Sequence, residues 1–401
     1  MDSRFRRLLA STAAGSFGDG IAATALPLLV LSLTTNPLQI SLLQVAAGLP
    51  WMLFSLHAGV VVDRVDRRNV LWVADAVRAA LAATLVALLA LHIATVTGLL
   101  VVAFLDAAAT VFFRAASPAL VPLLVERGDL VRANSQIQTA AVATDGFVGP
   151  ALGGVLYPLA ALVPFVVQSV SMTISVVCLR RIPSTRAVEE PTPSGTMNAD
   201  IRDGIRFVLT DTLIRALVVT SGLLAASTGM LQAVLVLHAV HTLGAPKISY
   251  GLLFTSFAAG YLVGTRLTPL MRDRLGLRAC LVIAAAVGTI SLTLIGSAPN
   301  VYLAGAGMGL LGIGSMLYNL TAITTRQQRT PAHLLGRVSS LVNLVSIGVI
   351  PIAALLAGAI ASAFGTRPAL LTAAALCATG LLWLITASKQ PTDQTNQADA
   401  P

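Results

Sequence analysis

About twelve apolar segments, each long enough to cross a bilayer, dominate this 401-residue chain. A helical span needs roughly 20 residues to traverse about 30 Å of hydrocarbon. The segments fall near 8–33, 38–62, 70–93, 97–123, 131–156, 159–180, 212–240, 248–271, 277–297, 300–325, 336–362 and 367–387. Hydrocarbon offers the backbone no water, so each segment must satisfy its own hydrogen bonds. None alternates with the period of a barrel strand, which leaves the helix. Composition agrees: the chain is 56% hydrophobic and 11% charged, too few charges for the surface of a soluble domain of this size. The expected class is an all-α polytopic membrane protein.

The net charge of +9 raises the question of a nucleic-acid partner, but the basic residues are not pooled in one patch or tail. They sit in short clusters between alternate spans. Arg4, Arg6 and Arg7 precede span 1; Arg64, Arg67 and Arg68 follow span 2; Arg127 and Arg132 precede span 5. Arg180, Arg181, Arg186, Arg202 and Arg206 follow span 6, Arg272, Arg274 and Arg278 follow span 8, and Arg326, Arg329 and Arg337 follow span 10. The opposite loops carry only Lys247 and Arg367. Positive residues stay inside, so both termini are expected in the cytoplasm and the protein in the cytoplasmic (inner) membrane. This accounts for the charge without nucleic acid. The opening "MDSRFRRLLASTAAG" has the basic start of a signal peptide, yet its apolar run continues through "IAATALPLLVLSL", too long for a cleaved leader. It reads as an uncleaved first span.

The longest polar stretch, "RRIPSTRAVEEPTPSGTMNADIRDGIRF", is rich in Pro, Ser and Thr. It divides the chain into a six-helix bundle over 1–180, a cytoplasmic linker over 181–211, a second six-helix bundle over 212–387 and a tail over 388–401. The halves echo one another. Asp63-Arg64 with Arg68 recurs as Asp273-Arg274 with Arg278, 210 residues later and again between the second and third spans of its half. A duplication explains that shared place.

Cys178, Cys280 and Cys377 lie singly in apolar runs, with no CxxC or Cys/His cluster, so neither disulfide nor metal site is expected. No P-loop, HExxH or GxSxG occurs, which argues against ATP-driven work or hydrolysis. No enzyme is expected, and no cofactor.

Charges inside the spans carry the functional signal. Asp19 lies twelve residues beyond Arg7, about 18 Å along a helix and so near the midplane. Asp145, thirteen beyond Arg132, reaches a similar depth. Asp106 sits in span 4 with Arg114 eight residues on. Burying a carboxylate is costly and disfavours its charged form, which suits such a group to carrying a proton across. Asp19, Asp145 and Asp106 are the proton-coupling candidates, with a structural ion pair as the alternative for each. Asp75 and Arg78, at i and i+3, are expected to pair locally as a structural feature. Arg114, Gln44, Gln232, Asn319 and Asn343 are cavity candidates, with Gln136, Gln138, Gln168 and Tyr318 beside them. His238 and His241, at the outer end of span 7, read as interfacial.

Two motifs suggest kinship. The loop "GVVVDRVDRR" offers Gly59, Asp63, Arg64, Arg67 and Arg68 in the pattern G-x-x-x-D-R/K-x-G-R-R/K, departing at the inner glycine, which is Asp66. The later copy keeps Asp273, Arg274, Gly276 and Arg278 but has Pro269 in place of the first glycine. Span 5 carries "DGFVGPALGG", with Gly149, Pro150, Gly153 and Gly154 in a G-P-x-x-G-G pattern. Proline there bends a helix and the glycines admit a close neighbour; ordinary small-residue packing is the plainer alternative. Together with six plus six spans, these features resemble the major facilitator superfamily. "GSFGDGIAATALPLLV", "SPALVP" and "VRANS" resemble its branch of enterobactin exporters and macrolide efflux proteins.

The resemblance implies twelve helices in two pseudo-symmetric bundles, a monomer in the lipid bilayer, and alternating access for a small-molecule substrate. It implies that the loop motif latches the outward-facing state and that the span 5 motif accompanies antiport. The expected function is proton-coupled efflux of a small amphipathic compound: a drug, a macrolide-like metabolite or a siderophore. Uptake, lysolipid flipping or a non-transporting sensor of the same fold remain the alternatives.

Overall fold

The computed structural model describes residues 3–183 and 205–387. Most of the expected linker and all of the expected tail lie outside these residues. The first half contains α1 (Ser3–Leu33), α2 (Pro37–Arg64), α3 (Arg67–Ala90) and α4 (Val96–Leu120). It continues with α5, built from Leu130–Ala141, Val142–Val148 and Gly149–Leu159, and ends with α6 (Val163–Arg180). In the second half α7 joins Thr212–Leu237 to His238–Thr242; α10 is Val301–Arg329, α11 Ala332–Phe364 and α12 Thr366–Ala387.

Between them Lys247–Ser297 is continuous by hydrogen bonding over 51 residues. At 1.5 Å per residue that is about 76 Å, more than twice the hydrocarbon thickness. Gly276, at φ 78° and ψ 170°, breaks it, giving α8 (247–275) and α9 (277–297). Among the described residues, eleven apolar helices by length thus make twelve crossings. Helix starts follow from polar residues outside the apolar runs. Asn36 accepts from the Leu38 N–H, Thr95 from Gly98, Asp211 from Leu213 and Ile214, and Asn300 from Leu303, each answering donors that a helix N-terminus leaves free.

The two halves repeat one packing scheme. In the first, α1 packs on α5 and α6, α3 on α6, and α2 on α4; in the second, α7 packs on α11 and α12, α9 on α12, and α8 on α10. The halves meet through α2 on α11 and α5 on α8, which the repeat makes equivalent. Alternating crossings put Ser3, the α2–α3 turn and Ala387 at one end of the molecule, here called the basic face; the other end is the far face. Toward the far face a single apolar core runs through both halves, including Leu28, Ile40, Leu235, Tyr250 and Ala357. Toward the basic face it divides. Phe5, Leu71, Leu120 and Leu179 form one core, and Ile214, Leu281, Val338 and Leu384 another. The halves are closed at the far face and part toward the basic one.

Small residues make that closure. A Cβ on Gly154 of α5 would stand 2.9 Å from Gly251 Cα of α8, and one on Gly358 of α11 would run into the Ser41 side chain of α2. Ser41 and Gly251 are again 210 residues apart, so the far-face contact obeys the same repeat as the loop motif.

The loop motif shows three features in the structure. Asp66, where the pattern has glycine, makes the turn by capping α3, its carboxylate accepting from the Arg68 N–H at 3.0 Å. Its counterpart Gly276 makes the same turn with a positive φ. Gly59 has no atom within 4 Å of the place a Cβ would take, because the halves stand apart at this face. Two of the arginines, Arg67 and Arg68, bond to helix ends. Arg67 donates to Ala119 O at 3.1 Å, and Arg68 to Leu179 O and Arg180 O at 3.2 and 2.6 Å, answering the free carbonyls that end α4 and α6. Arg64, Asp273, Arg274 and Arg278 are exposed. The Asp63 side chain lies outside the described residues.

Candidate functional site

The site is built around a charge that the span pattern does not advertise. Arg78 on α3 is buried, with 2% of its side chain exposed, and carboxylates reach it from three helices. Asp75 stands one turn before it at 3.3 Å, Asp106 approaches from α4 at 3.3 Å, and Asp19 from α1 closes on its Nη2. Asp75 is fully buried and also accepts from the Ser175 hydroxyl of α6. The expected local pair therefore exists, but Arg78 is the hub of a four-helix cluster.

Asp19 and Asp106 keep 23% and 27% of their side chains exposed, so the cluster has a buried and an open side. The open side faces a cavity of about 270 Å³, whose wall includes Gln44, Gln168, Gln232 and Tyr250. Gln44 Nε2 donates to Gln232 Oε1 at 3.0 Å, joining α2 of one half to α7 of the other over the cavity. A guanidinium retains its proton, so three ionised carboxylates about one arginine leave two negative charges in excess. Such a group can hold a proton or a cation, and what it holds changes the charge of the cavity wall.

Asp145 lies beside this cluster but takes a different partner. It pairs with Arg114 of α4 at 3.8 Å, and the Arg114 guanidinium lies 6.0 Å from the Trp51 ring centre. Arg114 and Asp145 line neither this cavity nor the one in the second half. Asp145 sits in Val142–Val148, where the helix widens to i, i+5 bonding. Pro150 supplies the cause: its ring displaces the carbonyl four residues earlier, and a widened turn absorbs the conflict. The span 5 motif then presses α5 on two partners. A Cβ on Gly149 would come 2.7 Å from Gly20 Cα and one on Gly153 2.6 Å from Ile21 O, while Gly154 faces Gly251. Gly18-Asp19-Gly20 is thus seated directly against the α5 segment that carries Asp145.

Asn319 and Asn343 line a second cavity of about 320 Å³ inside the second half, with Tyr318 and Arg326. Gln136 and Gln138 line neither cavity. His238 corrects its expectation: it is fully buried, between Ile295 O at 3.1 Å from Nε2 and the Thr366 hydroxyl at 2.9 Å from Nδ1. A carbonyl only accepts, so Nε2 carries the proton and the ring ties α7 to α9 and α12. Among the described residues no group of His, Cys, Asp or Glu is arranged to hold a metal ion.

Two bundles joined by equivalent helices, with charges buried beside a central cavity, are the geometry of a membrane carrier. A family model described as transmembrane secretion effector matches residues 1–400. The chain belongs to this family of major facilitator superfamily transporters. Its relatives include the multidrug efflux pump Tap of Mycolicibacterium fortuitum, 26% identical over 371 residues and covering 89% of each chain. Macrolide efflux protein A of Streptococcus pyogenes is 23% identical over 372 residues, 91% of each. Among solved structures, the nucleoside transporter NupG superposes with a TM-score of 0.78 at 12% identity, over 98% of this chain and 100% of that one. A bacterial homologue of ferroportin in the inward-facing state gives 0.78 at 18%, over 96% and 99%. The superfamily member described here is therefore a multi-pass transporter of small molecules and not an enzyme.

Proposed function

We propose that this transporter exports a small amphipathic compound from the cytoplasm in exchange for protons, by alternating access across the cytoplasmic membrane, with both termini inside. The observation that carries the reading is the Arg78 cluster: an excess of carboxylate on one cavity wall, with Asp19 and Asp106 open to it and Asp75 buried behind. Protons taken up by Asp19 and Asp106 remove charge from the wall and weaken its hold on whatever countercharge is present. They also loosen the ties among α1, α3 and α4. Differential binding of this kind is what shifts a two-state carrier between its forms. The names of the efflux relatives support the outward direction.

On this reading the far-face closure is the inward-open form and the basic face is cytoplasmic. When the far face opens, the halves close around the loop motif, and Asp63 meets the positive N-terminus of a helix in the other half. The segment 181–211 links the halves on the cytoplasmic side. The protein works as a monomer, without a bound cofactor, on the proton gradient. A drug panel in a pump-deficient bacterial host tests the direction. Expression should raise tolerance and lower cell content of at least one amphipathic drug, and Asp19→Asn should abolish both. Increased accumulation instead would establish uptake.

A further inference from the structure

The four acids within the spans, Asp19, Asp75, Asp106 and Asp145, all belong to the first half. Between 205 and 387 the acids are Asp211 and Asp273, both at the basic face. Asp211 is taken by Arg329 at 3.7 Å, Asp273 is exposed, and neither lines the second cavity. That cavity lies among α7, α9, α10, α11 and α12 and has donors on its wall. Asn319 and Arg326 stand seven residues apart on α10, on one helix face, and Asn343 and Ser346 lie three apart on α11. Arg326 is partly buried, and among the described residues no carboxylate lies within ion-pair distance of it. Tyr318 is already engaged, donating to Leu217 O at 3.1 Å and accepting from Ser221 at 3.0 Å, so it stiffens the wall and leaves the ligand to the amides and the guanidinium. The rest of the lining is mostly apolar, including Leu224, Leu292 and Leu311; Ser315 adds a hydroxyl, and those of Ser227 and Thr228 are spent on Leu223 O and Leu224 O of their own helix.

A partly desolvated arginine with no carboxylate near it among the described residues, set beside amides and apolar side chains, is a receptor for an oxyanion carrying an apolar body. We propose that this cavity binds an amphipathic organic anion, with Arg326 holding its head and Asn319 and Asn343 completing the donor set. The assignment rests on the transport reading and deepens it by naming the class of compound. It divides the labour between the halves: acids in the first handle protons, and donors in the second hold the exported molecule. Arg326 lies three residues from the end of α10 at the basic face, where a compound entering the open side meets it first.

The test is equilibrium binding to the purified transporter in phosphatidylcholine nanodiscs, with no gradient, so that it is independent of proton coupling and direction. Two fluorescent probes differ only in charge: anilinonaphthalene sulfonate and the neutral phenylnaphthylamine. Arg326→Gln should weaken the sulfonate by about tenfold or more, the loss expected of a charge-assisted bond, and leave the neutral probe within about twofold. Arg326→Lys should retain part of the preference, and Asn343→Leu should weaken the sulfonate by a smaller factor, which covers a fold defect in any one variant. Decanoate and a lysophosphatidylglycerol compete for the site. Displacement by decanoate alone marks a free acid as the occupant, and displacement by the lysolipid marks a lipid headgroup; either supports the anion site. Equal losses for both probes, no saturable sulfonate binding to the unaltered protein, or competition by neither anion would overturn it.

Discussion

Replacing Gly154 with valine places a branched side chain where α5 and α8 touch backbone to backbone. Even the first carbon would meet Gly251 Cα at 2.9 Å, Gly251 N at 3.1 Å and Ile248 O at 3.1 Å. None of these atoms can rotate aside, so the helices must separate. Overpacking of this kind costs about 1–3 kcal/mol. The penalty falls only on the form in which the far face is closed, so the equilibrium shifts by about 5–150-fold toward the form in which it is open. Leu159 and Phe364, both 76% exposed, end α5 and α11 at the far face and belong to different halves. Spin labels at these two positions, in a background without the native cysteines, report the separation by pulsed electron resonance. The long-distance population should grow in Gly154→Val and stay unchanged in Gly128→Ala, where a Cβ meets open space. An unchanged distance distribution in a well-folded Gly154→Val protein would refute backbone contact as the closing element.

Removal of Arg78 should be the most damaging change near the cavity. Arg78→Met leaves three carboxylates without their countercharge, a loss of about 3–5 kcal/mol, and detergent melting curves should show it. Adding Asp19→Asn and Asp106→Asn to that variant should recover part of the stability, and a melting point unmoved by Arg78→Met would remove the hub from the account. At the α2–α3 turn, Asp66→Ala should cost about 1 kcal/mol through the lost cap, whereas Asp66→Gly should cost a few tenths, since Gly276 makes the same turn in the other half. Equal losses in the same melting assay would speak against the cap. Asp63→Asn should cut transport while membrane insertion and probe binding persist, as the proposed latch of the outward-open form requires. A parallel fall in binding would contradict the latch.

The spans were legible because lipid imposes a composition that survives without any knowledge of packing; the caps that start them, at Asn36, Thr95 and Asn300, emerge from the structure. The duplication was legible in Asp63 and Asp273, and the structure extends it to Ser41 and Gly251. What the sequence hid is rotation about each helix axis. Asp75 and Arg78 look like a self-contained pair at i, i+3 because nothing in the order of residues says which faces of α1 and α4 turn toward α3. The signal that was present, an arginine in an apolar span together with midplane acids in two other spans of the same half, needs that rotation to become a cluster. His238 was misread for the same reason: closeness to a span end suggests an interface, whereas α9 and α12 cover it. Arg326 reads as positive-inside anchoring in sequence and is a cavity residue in space.

That proton uptake at the Arg78 cluster drives export is tested in proteoliposomes carrying a drug to which the transporter confers tolerance. The imposed pH gradient is the driving force, and drug and lumenal pH are followed together. Drug should move opposite to protons, with both movements lost in Asp19→Asn and in Asp106→Asn. Drug movement that proceeds at the same rate without a gradient, or that survives both substitutions, would contradict it.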